Sequence, residues 1–211
     1  MKISFLTDNP NSWIIEYLNL FMASLESHNV NHYFNHKDIN DHGDILFILS
    51  CEEIVKEEVL KFHKKNIVIH PSKLPKGKGW SPISWQVLEG LNIIPITLFE
   101  AVDKVDSGDI YLQDEIVLEG HELNNEIKHK QAVVTFNLIS KFIKNYPYNP
   151  SKSQHGESSF YKKRNKSSNE LDVNKSIKEQ FNLLRIVDNE RYPAFFYLKN
   201  KKYIIKITKD E

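Results

Sequence analysis

A single cysteine, Cys51, is present among 211 residues, which excludes an intrachain disulfide and fits a reducing compartment. Long hydrophobic runs are also lacking. None approaches the length of a membrane span, and Met1–Leu6, broken at once by Thr7-Asp-Asn-Pro10, is too short for a secretory core. A cytoplasmic protein with no membrane partner is therefore expected. Net charge is zero, with 28 basic against 28 acidic residues, so nothing global attracts nucleic acid. Glycine is scarce, at seven, and none lies in Thr7–Ser12, the first turn after a strand. That excludes a Rossmann dinucleotide fingerprint there; a P-loop sequence is absent throughout. His28, His32 and His36 recur every four residues, but Asn29 and Val30–Phe34 read as a helix end followed by a strand, so no metal site is expected.

What is present is concentrated. Four of the eight prolines fall between Pro71 and Pro95, and five of the seven glycines between Gly77 and Gly120. The segment His70-Pro-Ser-Lys-Leu-Pro-Lys-Gly-Lys-Gly-Trp-Ser-Pro82 thus reads as a shaped pocket loop, because proline pre-sets φ and glycine permits close backbone approach. Charge is uneven as well. From Ser151 onward 14 basic residues face 8 acidic ones, whereas the first 150 residues carry 14 against 20. The basic tail suits either a phosphate-bearing ligand or a solvated lysine-rich surface.

The periodicity predicts strands at Lys2–Leu6, Val30–Phe34, Ile45–Leu49 and Asn66–Ile69, the last ending at His70. Helices are expected from an N-cap at Ser12 and over Ile54–His63. This alternation is the parallel α/β pattern, in which ligands bind at the carboxyl ends of strands. Further on come a helix over Ile83–Leu88, strands at Ile93–Glu100 and Ile110–Ile116, and a long helix over Leu123–Ile143. The polar stretch 146–166 reads as a linker. A short helix near Ile177–Ile186 and a hairpin of Ala194–Leu198 with Tyr203–Thr208 complete the chain.

Taken together, His70-Pro-Ser-Lys-Leu-Pro-Lys-Gly-Lys-Gly79, Pro82-Ile-Ser-Trp85, Glu89-Gly90 and Asp106-Ser-Gly-Asp-Ile110 resemble the folate-dependent formyltransferase family, which acts on methionyl-tRNA, glycinamide ribonucleotide and sugar nucleotides. The resemblance covers roughly residues 1–143, and the thirty-six positions from His70 to Asp106 match the family spacing without a gap. The Leu74-Pro-Lys-Gly-Lys-Gly-Trp-Ser-Pro82 wording is similar to bacterial sugar formyltransferases, including those for pseudaminic-acid-type surface sugars. The resemblance implies a Rossmann-like formyltransferase domain over 1–145, a linker over 146–166 and a small helix-plus-hairpin extension over 167–211. It implies 10-formyltetrahydrofolate as co-substrate, a nucleotide-linked amino sugar as acceptor and no metal. The aromatic hairpin offers a homodimer contact or simply packs on its own domain.

For the chemistry, the resemblance implies that His70 polarises the formyl oxygen while Asp106 orients His70 and assists proton removal from the amine. Asp109 and Gly108 are expected to shape the turn. The pterin is expected against Ser50, Cys51, Glu52 and Ile54 and against Val102, Asp103 and Val105, with Leu74 and Pro75 flanking the formyl group. Substrate contacts are expected from Ser12, Trp13, Lys76, Lys78, Gly79 and Trp80, where lysines would meet phosphates and an indole would stack on a base. Capping and packing compete for Ser12 and Trp13, and core packing for Trp85. Tyr192, Phe195 and Phe196 suit either a base lid or a hairpin core.

One departure stands out. The family carries Asn two residues before the histidine; here that position is Val68, which donates no hydrogen bond. Asn66 is four positions back along the strand, too far to substitute. Two other readings follow: formylation of another amine such as aminoacyl-tRNA, or a non-catalytic folate- or nucleotide-binding homologue.

Overall fold

The computed structural model describes residues Met1–Asp210. Strand β1 (Lys2–Leu6) leads through Asp8-Asn-Pro10 into helix α1 (Ile15–Ala23), followed by β2 (Asn29–Tyr33), β3 (Gly43–Ile48), a one-turn helix α2 (Glu57–Leu60) and β4 (His63–His70). A two-residue strand β5 (Lys78–Gly79) precedes α3 (Pro82–Leu88), β6 (Ile93–Glu100), β7 (Ile110–Val117) and the long α4 (Asn124–Asn145). The rest comprises β8 (Phe160–Tyr161), α5 (Phe181–Ile186), β9 (Ala194–Leu198) and β10 (Lys201–Ile205).

The architecture is mixed α/β. Six strands form one sheet in the order β2-β1-β3-β4-β6-β7. The first four are parallel, whereas β6 runs antiparallel to β4 and to β7. Side chains alternate across a strand, so Ile3, Phe5, Ile45, Phe47 and Ile67 enter the large core beneath α1 and α4. Leu6, Leu46 and Ile48 turn to the opposite face, against Ile39, Val55 and Leu60. Burial on both faces explains why these strands are continuous apolar runs.

Three expectations are corrected. The helix over Ile54–His63 contracts to Glu57–Leu60, because His63 joins β4, where its Nε2 lies 2.8 Å from Ser4 Oγ inside the sheet. Ser12 does not cap α1: the cap is Ile14, without a side-chain bond, and Ser12 Oγ donates instead to Ser50 Oγ at 3.1 Å. The left-handed residue of the 103–109 turn is Asp106 (φ 47°), not Gly108. Gly108 is required for another reason, since a Cβ there would lie 1.9 Å from the Glu100 carbonyl oxygen.

Arg185 is the most buried of the side chains that fasten the tail to the sheet domain, alongside Ile186 in the main core and the Lys128–Asp188 and Lys209–Glu126 ion pairs. Arg185, on α5, is 1% exposed; its Nε donates to the Glu122 carbonyl at 3.0 Å, its Nη2 to Glu122 Oε2 at 3.1 Å and its Nη1 to Asn92 Oδ1 at 3.1 Å. The β9–β10 hairpin closes a small core of Leu171, Leu184, Val187 and Ala194. Phe195 is buried and Phe196 stacks on Tyr203, which makes these aromatics hairpin packing. Among the described residues no helix is long and apolar enough to cross a membrane.

Candidate active site

His70 ends β4, where the parallel sheet places its carboxyl ends, and opens the Pro/Gly loop. That loop curls back beneath the ring. His70 Nε2 lies 2.8 Å from the Gly77 carbonyl oxygen. A carbonyl only accepts, so Nε2 carries the hydrogen. Nδ1 has no hydrogen-bond partner among the described residues. Asp106 Oδ2 lies 3.9 Å from Nε2, beyond hydrogen-bond length, and accepts the Gly79 N–H at 2.8 Å. One loop therefore holds both side chains, the histidine by a carbonyl and the aspartate by an amide.

Both lie on a cavity of about 500 Å³. Its lining includes Ser50, Cys51, Glu52, Ile54, Val102 and Val105, and also Trp13, Gly79 and Trp80. These expected contacts are thus brought together. Six others are not on the wall. Leu74 is turned into a core cluster with Phe99 and Ile110. Asp103 and Lys76 are exposed away from it, Pro75 lies outside it, and Ser12 reaches it only through Ser50. Lys78 is buried with its Nζ donating to Ser107 Oγ at 2.8 Å, and burial pushes its pKa down. It braces one loop against the other and is not free to meet a phosphate.

Cys51 is a half-buried thiol that stays protonated. Burial, then the Asp8 carboxylate, pushes its pKa up to about 12. Val68 lines the cavity and packs against Leu74, Phe99 and Ile110. The Asn66 amide donates to the Leu60 and His63 carbonyls at 3.0 and 3.4 Å, so it supplies nothing at this wall. Trp85 leaves the core altogether: it stacks on Tyr161 and donates Nε1–H to the Lys162 carbonyl at 2.9 Å.

The stretch 146–166 supplies most of the bracing. Ser159 Oγ accepts the Gly77 N–H at 2.9 Å, and β8 pairs with β5 directly under the loop. Gly79 (φ 92°) approaches Tyr161 so closely that a Cβ would sit 2.6 Å from its carbonyl oxygen. Gln154 Nε2 donates to the Asp106 and Gly108 carbonyls at 3.0 and 2.8 Å. Lys163 spans from Glu52 Oε2, at 2.7 Å, to the face of Trp80, 4.2 Å from its centroid. Its polar composition concealed this, because the bonds run to backbone far away in sequence. A second missed group lines the cavity from α4: Asn124, Lys128, Gln131 and Thr135. Their spacing of four, three and four was the available signal.

An α/β sheet with a histidine–carboxylate pair at its strand ends, in a largely apolar cavity, has the make-up of a group-transfer site and not of a dinucleotide fold. The formyl transferase family pattern matches residues 26–142, and the chain belongs to that family. It is 30% identical over 167 residues to the bifunctional polymyxin resistance protein ArnA of Wigglesworthia glossinidia brevipalpis, covering 77% of this chain and 25% of that protein. It is 26% identical over 163 residues to the methionyl-tRNA formyltransferase of Lachnospira eligens, covering 75% and 51%. The chain thus spans about half or less of these relatives. In fold it is similar to methionyl-tRNA formyltransferase from Clostridium thermocellum (TM-score 0.84, 20% identity, 100% and 94% of the two chains). It is also similar to a 4-N formyltransferase from Francisella tularensis (0.71, 18%, 100% and 98%). A third likeness is to HypX from Aquifex aeolicus, solved with tetrahydrofolic acid (0.79, 18%, 98% and 37%).

Proposed function

We propose that the protein is an N-formyltransferase that moves a formyl group from 10-formyltetrahydrofolate to the primary amine of a nucleotide-linked amino sugar, acting in a reducing, cytoplasmic setting. The observation that carries this reading is the His70–Asp106 pair, each member fixed by the same loop on the wall of one cavity. The units are the catalytic domain 1–145, the connecting stretch 146–166 and the extension 167–211.

The residues fit a flat folate. Ile54, Val102 and Val105 give an apolar wall, and the thiol of Cys51 stays protonated there. When bound, 10-formyltetrahydrofolate supplies the formyl group. The chain's own residues do the rest. With Nε2–H committed to Gly77, Nδ1 is the ring nitrogen available to hold a proton against the oxygen that gains charge. In this reading Asp106, 3.9 Å from Nε2, balances a charged ring and receives the amine's proton. Val68 offers no second side-chain donor, so His70 carries more of this stabilisation than in relatives with an amide there. Loss of one such donor costs about 3–4 kcal/mol in other enzymes.

The test is turnover with 10-formyltetrahydrofolate against a panel of nucleotide-linked 4-amino-4,6-dideoxy sugars and methionyl-tRNA, read by formyl mass gain. One sugar is expected to be formylated, and His70→Ala and Asp106→Ala to lose roughly 10²–10⁴-fold in kcat. Formylation of the tRNA alone overturns the acceptor; no turnover on any amine with folate still bound overturns the enzyme.

A further inference from the structure

Four polar side chains interrupt the apolar inner face of α4. Asn124, Lys128, Gln131 and Thr135 recur at helical spacing and all line the cavity that holds His70. Thr135 is the most telling. The residue is 3% exposed, and its hydroxyl, which makes no hydrogen bond among the described residues, opens on the cavity instead of being sealed in the core. Gln131 is half-buried and its amide likewise has none. Asn124 Nδ2 is held by the Ile186 carbonyl at 2.7 Å, and its Oδ1 is buried without a partner. Polar groups that become covered are normally paired, and covering them without a partner is unfavourable. This face has capacity waiting for a ligand.

The charge balance says which kind. Lys128 is the cation of the set, and its Nζ lies 3.4 Å from Asp188 Oδ2. The face is therefore close to neutral and mixed in donors and acceptors. A hydroxyl and an amide each donate and accept. Such a set suits a neutral ring bearing several hydroxyls, with the half-buried Trp13 indole, which also lines the cavity, as an apolar surface.

We propose that Gln131 and Thr135, with Lys128 beside them, form the subsite that hydrogen-bonds the sugar ring of the acceptor and sets the enzyme's preference for a glycosyl amine. The inference rests on the proposed formyltransferase reading and deepens it. A methionyl side chain bears no group that pairs with these atoms. Its entry would leave a buried hydroxyl and amide unsatisfied, which is how a polar site rejects an apolar ligand.

The experiment uses the full chain and the sugar from the 4-amino-4,6-dideoxy panel that the wild type formylates, together with its analogue lacking one ring hydroxyl. Gln131→Leu and Thr135→Val are expected to raise KM for the sugar about tenfold, the effect of one lost buried hydrogen bond. KM for 10-formyltetrahydrofolate stays within about twofold of wild type, since that wall is untouched. Titration calorimetry with the same sugar reads the same loss without turnover, and Thr135→Ser restores binding. The variants also narrow the gap between the sugar and its deoxy analogue. Unchanged sugar KM and calorimetric affinity in both variants, with melting temperatures at the wild-type value, overturn the subsite while leaving the enzyme reading intact. Turnover by the wild type on methionyl-tRNA and on no sugar overturns the acceptor class and the subsite with it.

Discussion

At the residue scale, the site depends on two glycines that are essential for different reasons. Gly79 is needed for its positive φ and for its approach to Tyr161. Gly108 has ordinary φ but no space, with the Glu100 carbonyl where a methyl would go. Gly108→Ala must displace the backbone that joins β6 to β7, two residues from Asp106. We expect a loss of about 3 kcal/mol of stability, at the upper end of overpacking, measured by urea unfolding, and a fall in kcat. A variant as stable and active as wild type would refute the close-approach account. Val68 belongs to this scale as well. It is half-buried on the cavity wall beside Leu74 and Phe99, so Val68→Asn sets an amide against apolar neighbours. A destabilisation of about 1–3 kcal/mol is expected; thermal melting unchanged from wild type would mean that the amide finds a partner at the cavity.

At the element scale, the two-residue strand β8 matters more than its length suggests. It lies under the loop that orients His70 and Asp106, and Ser159 holds the N–H of the residue whose carbonyl fixes the histidine. Ser159→Ala leaves that N–H unpaired beneath the loop. We expect kcat to fall about tenfold through misplacement of the pair, with both KM values nearly unchanged. A rise in KM at constant kcat would show that the segment contacts ligand instead. His70 and the loop were legible as candidates because a strand end and Pro/Gly punctuation are local signals, and Asp106 was legible through the resemblance. The stretch 146–166 reads as a linker, since residues such as Gln154 and Ser159 bond to carbonyls and amides about fifty and eighty positions away.

At the scale of the whole molecule, acid is the weakness of the sheet. His63, on β4, is buried with its ring over Gly43 of β3 and reaching Ser4 of β1, and its Nδ1 is unpartnered. Burial, then the charge of Lys2, depresses its pKa from 6.5 to about 4. The folded state therefore keeps His63 neutral where the unfolded chain binds a proton. Its contribution is full above pH 6.5 and is lost as pH falls toward 4, on the order of 3 kcal/mol. Denaturant unfolding between pH 7 and pH 4 should record that slope, and His63→Gln should flatten it; an equal slope in the variant would remove His63 as the cause. Glu122 titrates lower. Burial raises its pKa, but hydrogen bonds from Lys130 and backbone amides outweigh this and hold it at about 2. The Arg185–Glu122 pair thus survives mild acid. Arg185→Met removes three hydrogen bonds while Glu122 keeps Lys130 and two backbone amides, and is expected to cost about 1–3 kcal/mol, with the tail's amides exchanging faster by hydrogen–deuterium exchange. Protection equal to wild type would show that the hairpin core suffices.

Apolar runs and punctuation by themselves determined the α/β class and the pocket loop, because strand burial and backbone restriction act over a few neighbouring residues, whereas the pairing of His70 with Asp106 was legible only through the family resemblance. Only the tertiary structure decided where the remaining side chains went. Lys78 and Leu74 follow a signature loop, yet folding turns both inward, one to Ser107 and one to the core. Thr135 and Gln131 look like ordinary polar positions on a helix until α4 is laid across the cavity. Which face a helix presents, and which distant backbone a serine reaches, depends on contacts between segments that no local pattern encodes.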